Sequence, residues 1–208
     1  MNRTEIEKSK IKFFPMVTVI AVVALLFATA LPARSASPAT EVETLLKQKI
    51  DAILSMLDST NLQETEKKTR IMEIINPVID FPLMAKLTLG KQNWGRLSPE
   101  ERDTFIDLFV GRLKRSYLDK TTLYSGQKVG YGQAAVQGGK VSAPTYLYTE
   151  EKKIEVVYKF YPVNGGWKVY DVEIDGVSFI KSYRAQFDEI LRNGTVDDLF
   201  AELRKPVD

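Results

Sequence analysis

Histidine and cysteine are both absent from the 208 residues. Without cysteine there is no disulfide framework, no zinc-thiolate site, no thiol nucleophile and no lipoprotein-type lipid-attachment residue. Without histidine the chain lacks the usual general base, the commonest metal ligand and any Ser-His triad. Hydrolysis would fall to carboxylates or lysine. The acidic pairs Glu100-Glu101, Glu150-Glu151 and Asp197-Asp198 stand at expected helix starts or in turns, where they complement the helix dipole or face water. The glycines between Gly126 and Gly139 form neither a dinucleotide fingerprint nor a Gly-Lys-Ser/Thr phosphate loop. No cofactor, no metal and no catalytic residue is expected.

Long apolar runs are scarce as well, and the longest lies at the start. Lys8, Lys10 and Lys12 precede an apolar stretch from Phe13 to Leu31, and Pro32-Ala33-Arg34-Ser35-Ala36 follows. This three-part layout predicts a secretory signal peptide over residues 1–35, cleaved before Ala36 and directing residues 36–208 out of the cytoplasm as one domain. The alternative is a retained anchor, because an uncleaved segment of this length nearly spans a bilayer of about 30 Å. Of 29 basic and 27 acidic side chains, five and two respectively lie in the leader, so the rest is close to neutral. Such a balance gives no electrostatic case for nucleic acid.

Helical spacing begins at Thr40, which forms a capping-box pattern with Glu43, and Val42, Leu46, Ile50, Ile53 and Leu57 follow it. A second helix is expected from near Gln63 through Ile71, Met72, Ile74 and Ile75, broken by Asn76-Pro77. A short third one starts at Asp80 and stops at Gly90. Ser98-Pro99-Glu100-Glu101 predicts the start of the longest helix, with Phe105, Leu108, Phe109, Leu113 and Tyr117 as its buried stripe.

From about Gly126 the period changes to two. Four strands are expected as an antiparallel meander, over Lys128 to Gly132, Lys140 to Thr149, Lys153 to Tyr161 and Trp167 to Ile174, with Pro162 to Gly166 as a hairpin loop. Val156, Tyr158 and Phe160 share one face, and Tyr170, Val172 and Ile174 share one face of the next strand. Asp175-Gly176 ends the sheet, a helix carries Ile180, Tyr183, Phe187, Ile190 and Leu191, and a last helix starts at Thr195. Helices first, strands next and helices last is an α+β order. The apolar residues at issue are Phe81, Met84, Leu87, Phe105, Phe109, Tyr146, Val156, Tyr158, Val172, Ile174, Val177, Phe179 and Ile180. Spacing alone reads them as core, and spacing cannot show a cavity.

The run Trp167-Lys168-Val169-Tyr170-Asp171-Val172-Glu173-Ile174-Asp175-Gly176-Val177-Ser178, continued by Tyr183-Arg184-Ala185-Gln186-Phe187, resembles the signature of the MlaC/toluene-tolerance family of periplasmic phospholipid-binding proteins. Asp80-Phe81, Met84-Ala85, Leu89-Gly90, Trp94 and the Ser98 helix start fit the same family. The resemblance implies N-terminal helices packed on a curved sheet of about four strands, C-terminal helices, and an apolar pocket holding lipid tails. It implies a periplasmic monomer that shuttles phospholipid between an outer-membrane lipoprotein complex and an inner-membrane ABC transporter with an MCE-type ring, in the service of outer-membrane lipid asymmetry.

On that footing the thirteen apolar residues become candidates for tail contact, with Val172, Ile174 and Val177 at the pocket wall. Asp171 and Arg184 are expected to be a structural pair tying sheet to helix, with a polar rim role as the alternative. The helices around Phe81 to Leu89 are expected to part from the strands to admit the tails. Other readings stay open: a hopanoid or other polycyclic lipid as cargo, a small pocket enzyme with Asp171 or Asp175 as base, or an adaptor with a solid core.

Overall fold

The structure is a computed structural model that describes residues 36–118 and 126–206. The expected leader and the side chain of Tyr117 lie outside the described residues. Among the described residues, six α-helices and a six-stranded antiparallel open sheet follow one another in α+β order.

Helix α1 (Pro38–Asp58) begins at Ser37, whose side chain accepts from Thr40 N with Pro38 in the first turn, so the cap lies three residues before the expected Thr40. Helix α2 (Glu64–Ile75) ends at Pro77, which has no N–H to extend it, although Asn76 itself keeps helical angles. Asp80 caps α3 (Phe81–Arg96), and Gly90, at φ 69°, breaks that helix in the middle instead of ending it. Helix α4 (Pro99–Leu113) has the complete capping box of Ser98 and Glu101 and runs into a π turn, Lys114–Leu118. At 15 residues it is shorter than α1, which has 21, contrary to the sequence expectation.

The strands are β1 (Lys128–Tyr131), β2 (Ala135–Gln137), β3 (Lys140–Tyr148), β4 (Lys153–Val163), β5 (Gly166–Ile174) and β6 (Val177–Ser178). Two of them, β2 and β6, were not expected. Strands β1 and β2 both pair with β3 and amount to one border strand broken at Gly132 to Ala134. The break has a covalent cause: Pro144 of β3 has no N–H to give to that border, and its carbonyl accepts from Gly132 N at 2.9 Å. A Cβ on Gly132 would stand 2.8 Å from the Pro144 ring, so the close approach also needs glycine. Strand β6 forms because Asp175 and Gly176 both adopt positive φ, which turns the chain back on β5 within two residues.

Strands β4 and β5 fall out of step between Lys159 and Phe160, with Lys159 opposite Asp171 and Phe160 opposite Val169. Tyr170 is the extra residue of this bulge, which bends the strand. Val169 therefore takes the inward place expected for Tyr170, and the Tyr170 ring packs 6.1 Å from that of Tyr161.

After the sheet come α5 (Phe179–Asn193), capped by Ser178, and α6 (Val196–Arg204), capped by Thr195 and Asp198. Two apolar clusters result. One is built from α3, α4, α5 and α6 around Phe105, Phe109, Phe187 and Leu199. The other lies between α1 and the sheet around Val42, Val141, Phe160 and Val169. Ile79, in the link between α2 and α3, packs against both.

Candidate functional site

Where the two clusters fail to merge there is a cleft of about 340 Å³. Met72 and Ile75 of α2, Phe81 and Met84 of α3, Val156 and Tyr158 of β4, Val172 and Ile174 of β5 and Phe179 of α5 line it. Ile79, Leu113 and Lys114 complete the wall. The strand residues reach it because alternation sends Val156 and Tyr158, then Val172 and Ile174, to one face of adjoining strands. Burial raises the Tyr158 hydroxyl pKa above its ordinary value. Small-molecule pockets commonly hold about 300–1,000 Å³. This one is at the narrow end of that range and is apolar almost throughout.

Seven of the thirteen residues singled out in the sequence meet here: Phe81, Met84, Val156, Tyr158, Val172, Ile174 and Phe179. The other six lie elsewhere. Phe105 and Phe109 are wholly buried in the helical cluster, their rings 5.9 Å apart, with Phe187 edge-on to Phe105 at 5.6 Å. Ile180 is buried and Leu87 half-buried in that same cluster. Tyr146 carries the Lys153 ammonium over its ring at 3.7 Å. Val177, expected at the wall, is 62% exposed: it lies opposite Ile174 at the open end of the sheet and is not among the residues lining the cleft.

Met72, Ile75, Ile79, Leu113 and Lys114 were not marked as site residues from the sequence. A signal for the first two existed: Ile71, Met72, Ile74 and Ile75 are too many apolar residues for one narrow stripe, and only Ile71 of them is buried. Of the surplus, Met72 and Ile75 face the cleft.

Asp171 and Arg184 each tie parts together, though not to one another. Asp171, nearly buried, accepts from Val172 N at 2.9 Å, Ser178 Oγ at 2.7 Å and Ile180 N at 3.1 Å, so one carboxylate fixes the start of α5 on β5. Arg184 donates from Nε and Nη2 to the Leu87 carbonyl, one of those left without a helical partner by the break at Gly90. Asn93 Nδ2 donates to Asp188 at 2.8 Å, so α3 is fastened to α5 on both sides of its break. At its other end α3 is held by the sheet: Asp80 N donates to the Val169 carbonyl and the Tyr161 hydroxyl donates to the Asp80 carboxylate. The expectation that α3 parts from the strands therefore meets a chain of bonds that opposes it.

A larger hollow, about 460 Å³, lies between α1 and the border of the sheet, beside Glu43, Lys47, Tyr131 and Pro144. Its polar groups satisfy each other. The Tyr131 hydroxyl donates to Asp51 at 2.7 Å, Lys47 pairs with Asp51 at 2.6 Å, and Glu43 accepts from Ala134 N at 2.6 Å. Burial, then the Asp51 hydrogen bond, push the Tyr131 hydroxyl pKa up. The Lys47 and Tyr131 hydrogen bonds hold the Asp51 carboxyl below its usual range. This is a clasp fastening α1 to β1. Among the described residues no group of carboxylates is arranged to hold a metal ion, and no helix is long and apolar enough to cross a membrane.

Known proteins resemble this chain. The toluene tolerance protein ttg2D of Pseudomonas putida is 26% identical over 140 residues, which are 64% of this chain and 65% of that protein. The chain thus spans about two thirds of the length of that relative. A phospholipid-binding protein from Ralstonia solanacearum, solved in complex with a phospholipid, superposes with a TM-score of 0.68 at 24% identity, over 77% of this chain and 93% of the other. That likeness is one of fold. The model of the MlaC protein family matches residues 47–205, from the middle of α1 through α6, and so takes in every wall of the cleft. With the match running through the two clusters and the hollow between them, the chain belongs to the MlaC family.

Proposed function

We propose that this chain carries a phospholipid through the periplasm, with the acyl tails in the cleft between the two apolar clusters and no chemistry performed on the lipid. The observation that carries the reading is the cleft itself, an almost wholly apolar hollow kept between two clusters of buried apolar side chains. Folded proteins close such surface unless something else covers it. The solved relative with a phospholipid bound supports a tail as the cover.

The energetics fit a carrier. A diacyl lipid has about 30 methylenes, and exposing them at about 0.8 kcal/mol each would cost on the order of 24 kcal/mol, so free diffusion between membranes is forbidden. In a bilayer the tails are already dry. Transfer into a dry cleft is therefore near balance, and a partner that competes for the tails suffices to release them. The partners of this reading are an outer-membrane lipoprotein complex and an inner-membrane ABC transporter with an MCE-type ring, reached after export by the leader.

The enzyme alternative needs a carboxylate ready to take a proton. Asp171 is occupied by three donors, and Asp175 sits in an exposed turn where it accepts from Glu155 N at 3.0 Å. Both serve as caps, which favours the carrier. The test is mass spectrometry of an organic extract of the purified chain from Ala36 onward, followed by uptake from phospholipid vesicles. Lipid with two fatty chains is expected in the extract. A protein that emerges empty and takes up nothing ends the reading.

A further inference from the structure

Of the described side chains that line the cleft, one carries a charge. Lys114 stands exposed at the wall, at the junction of α4 and the π turn, beside the inward-facing Leu113. Its backbone N–H closes α4 on the Gly111 and Val110 carbonyls, and the chain continues in helical form through the π turn, so the side chain stands on an unbroken helical wall. No carboxylate among the described residues pairs with its ammonium. Single-turn π segments in helices recur at functional sites.

The other positive features near the cleft are spent. Helices α3 and α5 both start at its wall, with Phe81 and Phe179 as their first residues. The start of α3 is neutralised by Asp80, which accepts from Leu83 N at 3.0 Å. That of α5 is neutralised by Asp171 on Ile180 N. Among the described residues that line the cleft, Lys114 is the one uncommitted cation that an arriving anion meets. A single cation on an otherwise apolar wall suits one kind of ligand, a tail with a negative group at its end.

We propose that Lys114 is the head-group site of the cleft: it binds the phosphate or carboxylate of an amphiphile whose tail lies against Met84, Val156 and Val172, and so selects anionic over uncharged amphiphiles. This rests on the carrier reading above. An exposed ion pair is modest in strength, because water competes for both partners. The effect is therefore one of selectivity more than of retention.

The experiment uses the chain from Ala36 onward, stripped of lipid, with three probes at low salt: phosphatidylglycerol vesicles, sodium oleate and methyl oleate. Lys114→Ala should weaken binding of an anionic probe roughly fivefold, which converts to about 1 kcal/mol. Lys114→Arg should restore it to within about twofold. Methyl oleate should bind all three proteins alike. A response with phosphatidylglycerol identifies a phosphate head group as a ligand, one with oleate a carboxylate, and either supports the site. Equal affinity of wild type and Lys114→Ala for both anions overturns it. So does a loss that extends to methyl oleate, which would place the effect in packing. If wild type loads lipid and Lys114→Ala loads it equally well, only this inference fails; if wild type binds none of the probes, the carrier reading fails with it.

Discussion

Tyr161 gives its hydroxyl to the carboxylate of Asp80, the same group that caps α3, so a single contact joins a strand to the helix at the cleft wall. The hydrogen bond to Asp80, with a lesser part from burial, pushes the Tyr161 pKa up to about 12. The protonated phenol is the form the fold favours. Its contribution is thus complete below the unfolded value of about 10 and is lost as pH climbs from there through 12. Tyr161→Phe should be about 1 kcal/mol less stable than wild type at pH 8 in urea unfolding. The gap should narrow between pH 10 and pH 12, since the other alkaline groups titrate in both proteins and cancel. A gap that holds its size at pH 12 would assign the loss to packing. Arg184 and Asp171 belong to the same scale: each closes a backbone end that a break in regular structure had left open.

The helices around the cleft are held unequally. Helix α3 is bonded to the sheet through Asp80 and to α5 through Leu87 and Asn93, whereas α2 has one buried residue, Ile71, and packs chiefly on α1. Lys67 of α2 donates to the Leu57 carbonyl at the end of α1, which ties it at one end. Helix α2, with Met72 and Ile75 on the cleft, is therefore expected to be the wall that yields. Amide hydrogen exchange should show α2 exchanging at least roughly tenfold faster than the Phe81 to Leu89 half of α3, and lipid loading should slow α2 most. Equal protection of the two helices would remove α2 as the moving part. Caps such as Ser98 with Glu101 and Thr195 with Asp198 were legible in the sequence because each is decided within four residues. The bulge at Tyr170 was not, since it is a matter of which residue of β4 lies opposite. Nor was the split of the border strand, which turns on Pro144, some dozen residues from Gly132.

At the scale of the whole molecule, two buried apolar clusters meet only in part, and the remaining gap is the candidate site. Periodicity marks which way a side chain faces and is silent on whether two inward faces touch. That is why Phe105 and Met84 looked alike in the sequence, although one lies in a closed cluster and the other on the cleft. Filling the gap should separate stability from loading: Val172→Trp should lower lipid uptake from vesicles at least roughly tenfold while leaving the melting temperature within about 4 °C. Unchanged uptake would show that the tails lie elsewhere. The borders of the sheet have a further bearing on a protein that holds apolar surface open. One border is cut into pieces of four and three residues, and the other is capped by the two residues of β6 and by the strap at Val78 to Asp80, which takes up both backbone groups of Val169. Neither rim offers a run long enough to template a neighbour, so copies crowded together with their clefts empty have no ribbon along which to stack into fibrils.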